Sequence, residues 1–215
     1  MFRIISIEGN IGSGKSTFLE KLREKYASVD GFIFSTEPVH LWEKIKDESG
    51  KTMLQKFYEN QEKYSFSFQM MAYITRLSQL RKLYRESPDN TIILTERSIY
   101  TDREIFARML YDTNIIKTVD YQIYLRWFDS FIDELTIDGI IYIKTSPNKC
   151  DERIHKRSRK GENNIPKEYL ERLNKYRDNW LLPINPLIIN GDIDWVNIPL
   201  QMYENITDYI ALKVK

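Results

Sequence analysis

Residues Gly9-Asn10-Ile11-Gly12-Ser13-Gly14-Lys15-Ser16 spell G-x-x-x-x-G-K-S, and no other feature of the chain restricts its fold so tightly. Glycines at those places let successive backbone N–H groups turn inward around phosphate oxygens. The helix that must follow adds the partial positive charge of its N-terminus. Lys15 is spaced to reach the β- and γ-phosphates of a nucleotide and the Ser16 hydroxyl to ligate Mg²⁺, with Thr17 completing the cradle. The flanks agree: residues 2–7 read as a buried strand, and Phe18, Leu19 and Leu22 give an amphipathic helix.

Beyond the cradle, short apolar runs alternate with long helical ones, the pattern of parallel βαβ units. Further strands are predicted over residues 32–35, 91–94, 139–143 and 187–189. Helices are predicted to begin at Lys15, Val39, Gln61, Ile99, Val119, Pro147, Lys167 and near Pro199. The longest spans residues 60–86, where Ser87-Pro88-Asp89-Asn90 breaks it. The expected architecture is an α/β, P-loop NTPase-type three-layer fold, with a five-stranded parallel sheet flanked by helices, in one domain over residues 1–215. The polar stretch 158–165, with Gly161 and Asn163-Asn164, is expected to form a lid together with the basic segment that begins near Arg153.

Charge narrows the partners. With 32 basic against 31 acidic side chains the net charge is +1, unlike the strongly basic face of a duplex-binding protein, so no nucleic-acid partner is expected. A local cationic pocket for a small anion remains open. Cys150 is the sole cysteine, which excludes an intramolecular disulfide and a multi-cysteine metal site. No apolar run approaches the ~18 residues of a membrane span, so no membrane partner is expected. Strand pattern begins at the first residues, which predicts a chain without a targeting peptide and a cytoplasmic protein. Asn205-Ile206-Thr207 matches a glycosylation sequon and is read as chance.

Several further segments follow in order: Thr36-Glu37-Pro38-Val39-His40-Leu41-Trp42, Phe57-Tyr58-Glu59, Phe66-Ser67-Phe68-Gln69, and Glu96-Arg97-Ser98-Ile99-Tyr100-Thr101-Asp102-Arg103. Last come the basic run 153–160 and Ile165-Pro166-Lys167-Glu168-Tyr169-Leu170. In this order and spacing they resemble the deoxynucleoside kinase family over nearly the whole chain. The resemblance implies transfer of the γ-phosphoryl group of ATP, or a similar triphosphate, to the 5′-hydroxyl of a deoxynucleoside, with Mg²⁺ and in a homodimer.

Carried over residue by residue, it makes Glu37 the carboxylate that takes the proton from the 5′-hydroxyl. That residue falls at the carboxyl end of a strand, where open α/β sheets build their sites. Glu96 would hold Mg²⁺, and Arg97 would contact both the acceptor oxygen and the moving phosphoryl group; the plain alternative is a buried structural ion pair. Arg153 and Arg157 share a helix face and Arg159 follows on the lid. By themselves they read equally as a solvated helix end, whereas the resemblance makes them clamps on the triphosphate. Asp194 and Trp195 resemble the segment that covers the donor base, although Trp195 is nearly as easily a core residue. His40 and His155 receive no role.

Gln69, Ala72 and Arg76 stand at i, i+3 and i+7, which at 100° per residue places them within about 60° of one another on the long helix. The resemblance makes Gln69 the amide that reads the base edge and pairs Arg76 with Asp102 around its far side. Phe68 and Phe106 would stack on the base, Trp42 would pack beside it, and Tyr58 with Glu168 would hold the 3′-hydroxyl. Relatives that favour thymidine carry uncharged residues where this chain has Arg76 and Asp102. The expectation is therefore deoxycytidine and purine deoxynucleosides above thymidine. The competing readings are a thymidine-preferring enzyme, a nucleoside monophosphate kinase and a nucleotide-binding module without catalysis.

Overall fold

The structure, a computed structural model, describes every residue except Met1, Phe2, Lys160, Gly161, Asn163, Asn164, Val196, Asn197 and Lys215. The first residue of the expected first strand and four residues of the expected lid thus lie outside the described residues.

Five strands build the sheet: β1 (Arg3–Gly9), β2 (Phe32–Ser35), β3 (Ile92–Glu96), β4 (Gly139–Lys144) and β5 (Leu187–Asn190). All pairs are parallel, in the order β2-β3-β1-β4-β5. β1 is central and buried along almost its whole length, as an Ile-rich strand covered on both faces must be. Its neighbours diverge in sequence direction at its carboxyl end, so a crevice opens there. Register does the rest: Ile7 pairs with Glu96 and Gly9 with Ile143, so the chain leaves β1 and β3 at the same edge.

The helices are α1 (Lys15–Lys25), α2 (Val39–Trp42), α3 (Met53–Glu59), α4 (Gln61–Glu86), α5 (Ile99–Thr101), α6 (Arg108–Asp112), α7 (Thr118–Asp129), α8 (Pro147–Arg157), α9 (Lys167–Leu181) and α10 (Leu200–Val214). A π-helical turn, Asp102–Ala107, joins α5 to α6. α3 is absent from the sequence reading, although its start is written there: Thr52 and Gln55 form a reciprocal capping box. α4 begins where Asn60 accepts from the Lys63 N–H and ends at Ser87.

Alternate strand residues face opposite layers. Ile4 and Ile93 pack with Leu77, Leu80, Tyr124 and Phe128 of α4 and α7. Ile5, Ile7 and Ile141 pack on the other side with Phe18, Leu19 and Leu22 of α1 and Ile206 and Ile210 of α10. Fully burying each such side chain contributes roughly 1.5–3 kcal/mol. A third cluster, including Ile105, Ile154, Leu170 and Leu173, seats α8 and α9 against the π turn. The three-layer expectation holds.

Candidate active site

The phosphate loop closes as its glycines require. Gly12 and Gly14 sit at φ 75° and 97°, and a Cβ on either would collide, with the Cys150 carbonyl and the Trp195 indole respectively. The Asn10 side chain pins the loop from within: Oδ1 accepts from the Ile11 N–H at 2.8 Å, and Nδ2 donates to Leu170 O and Asn174 Oδ1. Lys15 Nζ donates to Asn10 O at 2.7 Å. Burial, with the Arg97 charge nearby, pulls this ammonium down to about 7. Gly9, Asn10 and Ser13 are buried under the loop, while Ile11, Gly12, Gly14, Lys15, Ser16 and Thr17 line one cavity of about 1090 Å³.

Ser16 Oγ donates to Glu96 Oε1 at 2.8 Å. A hydroxyl and a carboxylate thus converge at the cradle mouth, a hard oxygen set that suits Mg²⁺, which takes one or two carboxylates and completes its shell with water and phosphate. Glu37, at the end of β2, is bound by two guanidiniums: Oε1 accepts from Arg97 Nη1 at 2.5 Å and from Arg76 Nη2 at 2.9 Å. Burial alone would push Glu37 up, but the charges of Arg97, Arg76 and Lys15 outweigh it and hold the carboxyl well below its usual range. Glu96 and Arg97, both buried, are therefore brought together with the partly exposed Glu37 in one cluster.

Arg76 is the hinge of that cluster. Its Nε donates to Asp102 Oδ2 at 3.0 Å and its Nη1 to Glu96 O at 2.9 Å. Asp102 is 2% exposed, and burial lifts its carboxyl to about 6 against the pull of Arg76. Beside it Gln69 is buried with Nε2 unpartnered. Phe68, Ala72, Trp42, Tyr58 and Phe106 complete the wall. Phe68 stacks on Phe57 with ring centres 4.5 Å apart, and Trp42 meets it edge-on while donating to Thr75. The π turn carries both Asp102 and Phe106 to the cavity, and such turns concentrate at functional sites.

The lid side brings two corrections and one omission. Glu168 is exposed in the first turn of α9 and does not line the cavity, because that turn buries Tyr169 and Leu170 instead. The carboxylate that does line it is Glu162, 5% exposed, which the sequence reading passed over. Glu162 pairs with Arg157 and, at 3.1 Å, with Arg159, and its charge reaches Tyr58. Arg153 lines the cavity, but its guanidinium is occupied by three carbonyls: Ser13 O at 3.1 Å, Gly191 O at 2.8 Å and Ile193 O at 2.7 Å. It ties the cradle to the loop after β5, a role the sequence reading did not give it. That loop brings Asp194 and Trp195 to the cavity, with the indole packed on Gly14 and on Phe18, ring centres 5.3 Å apart.

A P-loop on the central strand of a parallel sheet, opening into a cavity that also holds Glu37, Glu96 and Arg97, defines a P-loop phosphotransferase. The model of the deoxynucleoside kinase family matches residues 5–211. The chain belongs to the deoxynucleoside kinase family, enzymes that move the γ-phosphoryl group of ATP to a deoxynucleoside. It is 39% identical to mouse deoxycytidine kinase over 197 residues, 83% of this chain and 75% of the relative. Against the mitochondrial deoxyguanosine kinase of Xenopus laevis identity is 33% over 194 residues, 82% and 72% of the two chains. A probable deoxycytidine kinase of fowlpox virus matches at 34% over 220 residues, 96% of this chain and 88% of the other.

Proposed function

We propose that this enzyme phosphorylates the 5′-hydroxyl of deoxycytidine and of purine deoxynucleosides in preference to thymidine, for nucleotide salvage. The buried Arg76–Asp102 pair beside the unpartnered amide of Gln69 carries this reading. An ionised Asp102 accepts from the exocyclic amine of cytosine or adenine but sets lone pair against lone pair at the 4-carbonyl of thymine. Arg76 also fills the space into which a 5-methyl group projects. The names of the mouse and Xenopus relatives fit the same preference.

In this reading the cradle and Lys15 seat the triphosphate, and Glu37 takes the hydroxyl proton late in the transfer through Oε2, the oxygen that the two guanidiniums leave open. Ser16 and Glu96 would hold Mg²⁺, which would supply positive charge to offset that of the triphosphate. Arg97, Arg157 and Arg159 face the charge that spreads over the moving group. Tyr58 and Glu162, in the place first given to Glu168, hold the 3′-hydroxyl, and the tyrosine crowds a ribose 2′-hydroxyl. Asp194 and Trp195 close over the donor base.

Exposed Ile74 on α4 and Val119, Ile123 and Trp127 on α7 support a homodimer through these two helices; sedimentation of the intact chain would show a two-chain mass. The activity is tested by incubating labelled ATP with deoxycytidine, deoxyadenosine, deoxyguanosine, thymidine and thymidine monophosphate. Product from the first three should exceed that from thymidine more than tenfold in kcat/KM, because unpaired buried polar groups reject the wrong isostere strongly. Best turnover with thymidine or its monophosphate would refute it.

A further inference from the structure

Glu8 is the penultimate residue of β1, wholly buried, and none of the roles above uses it. Every hydrogen-bond partner the structure gives its carboxylate is a hydroxyl. Ser6 Oγ donates to Oε1 at 2.6 Å, Ser98 Oγ to Oε1 at 2.9 Å, and Thr101 Oγ1 to Oε2. Ser98 and Thr101 lie at the two ends of the single turn that separates Arg97 from Asp102.

That turn is strained at its entry. Arg97 adopts φ 63°, the left-handed region, which is costly for a residue with a side chain and persists only where the surroundings over-determine it. Two restraints act on Arg97 itself: its N–H donates to Ile7 O at 3.0 Å, and Thr95 Oγ1 donates to its carbonyl at 3.0 Å. The next two, at Ser98 and Thr101, come from Glu8. Ile7 and Glu8 therefore fix the turn that aims Arg97 at Glu37 and Asp102 at Arg76, and the same two residues lead directly into the phosphate loop.

We propose that Glu8 is a positioning residue for phosphoryl transfer, locking the Arg97–Asp102 turn to the strand that carries the phosphate cradle. The donor and acceptor halves of the site then keep one relative geometry. This rests on the placement of Arg97 and Asp102 in the acceptor site given above. A carboxylate suits the task because its oxygens only accept, so all three hydroxyl protons are drawn to one point and the turn has a single hydrogen-bonded arrangement.

The test uses the intact enzyme and near-isosteric changes in the hydroxyl partners. Thr101→Val should lower kcat by about tenfold to a hundredfold, the scale on which small misplacement of oriented groups acts. Its KM for ATP should hold, and its deoxycytidine-to-thymidine ratio should narrow as Asp102 shifts. Thr101→Ser, which keeps the hydroxyl, should restore kcat. Ser98→Ala reads the other end of the turn should Thr101→Val fail to fold. A variant with a lowered melting temperature but unchanged kcat and base ratio would overturn the proposal. So would equal losses in kcat and in ATP affinity. If the wild type phosphorylates no deoxynucleoside, the acceptor reading fails; if it is active and both variants match it, the role of Glu8 alone fails.

Discussion

Arg76 Nη2 donates to Glu37 Oε1 at 2.9 Å, while Nε of the same guanidinium holds Asp102 at 3.0 Å. One side chain therefore joins the carboxylate proposed to receive the proton to the one proposed to read the base, so a change at either end should be felt at the other.

Glu37→Gln preserves an oxygen for both guanidiniums and removes the proton acceptor. Its kcat should fall about 10²-fold, the scale of a positioned general base, with deoxynucleoside affinity little changed. Stopped-flow and steady-state kinetics separate the two; collapsed affinity with intact kcat would make Glu37 a binding residue only. Because Arg97 and Arg76 hold its carboxyl below the usual range, Glu37 stays ionised through mildly acid pH. Its contribution to stability is present above the ordinary value near 4.3 and is lost only as pH falls through the depressed folded value.

Lys15 predicts a proton taken up with the donor. Burial and Arg97 lower it to about 7, and a triphosphate in the cradle favours the charged form. Between pH 7.5 and 9 the Kd for ATP should rise, and titration calorimetry in buffers of different ionisation heat should show proton uptake. Folding responds oppositely: the unfolded chain binds this proton more tightly between about 7 and 10.4, so stability from this group rises with pH across that window. A Kd independent of pH would remove Lys15 from the phosphates, as would more than a tenth of wild-type turnover in Lys15→Ala.

Base choice should soften in acid. Burial raises Asp102 to about 6, so below that value it is neutral and loses its preference for an amine. The ratio of kcat/KM for deoxycytidine over thymidine should shrink between pH 7.5 and 5. The folded state binds this proton more tightly than the unfolded one, so the group favours folding at acid pH and that contribution is lost as pH rises through 6. The double change Arg76→Met with Asp102→Ala should raise relative thymidine use at every pH. A constant ratio in both experiments would place base recognition elsewhere.

Arg157 and Arg159 share the single carboxylate of Glu162, which balances only one of their two positive charges before the donor arrives. Replacing either with Ala should lower kcat more than it raises KM for ATP, since charge spreads over the phosphoryl group only in the transition state. Equal losses would indicate plain docking. Glu162→Gln should raise the KM for the deoxynucleoside more than that for ATP, and the reverse would take Glu162 away from the sugar.

The sheet was legible because buried parallel strands read as continuous apolar runs, and the cradle because its glycines meet a steric demand no other residue meets. The rest of the site was legible only in part. Glu162 and Glu168 both follow the basic helix end, and spacing does not choose between them. The choice is made in three dimensions, where the first turn of α9 buries Tyr169 and Leu170 and turns Glu168 outward. Arg153 escaped for a different reason: its partners are main-chain carbonyls, which have no signature in a sequence. The Thr52–Gln55 box was a readable signal for α3 that hydrophobic periodicity, in so short a segment, does not amplify.

Through Arg153, the carbonyl of Ser13 in the cradle is tied to those of Gly191 and Ile193. On the proposed reading, the seat of the phosphates and the loop that bears Trp195 would act as the two jaws of a caliper held by that one guanidinium. Such a device would grade donors by length: a chain one phosphate too short or too long would put its terminal group out of line with the hydroxyl, even when every individual contact can be made.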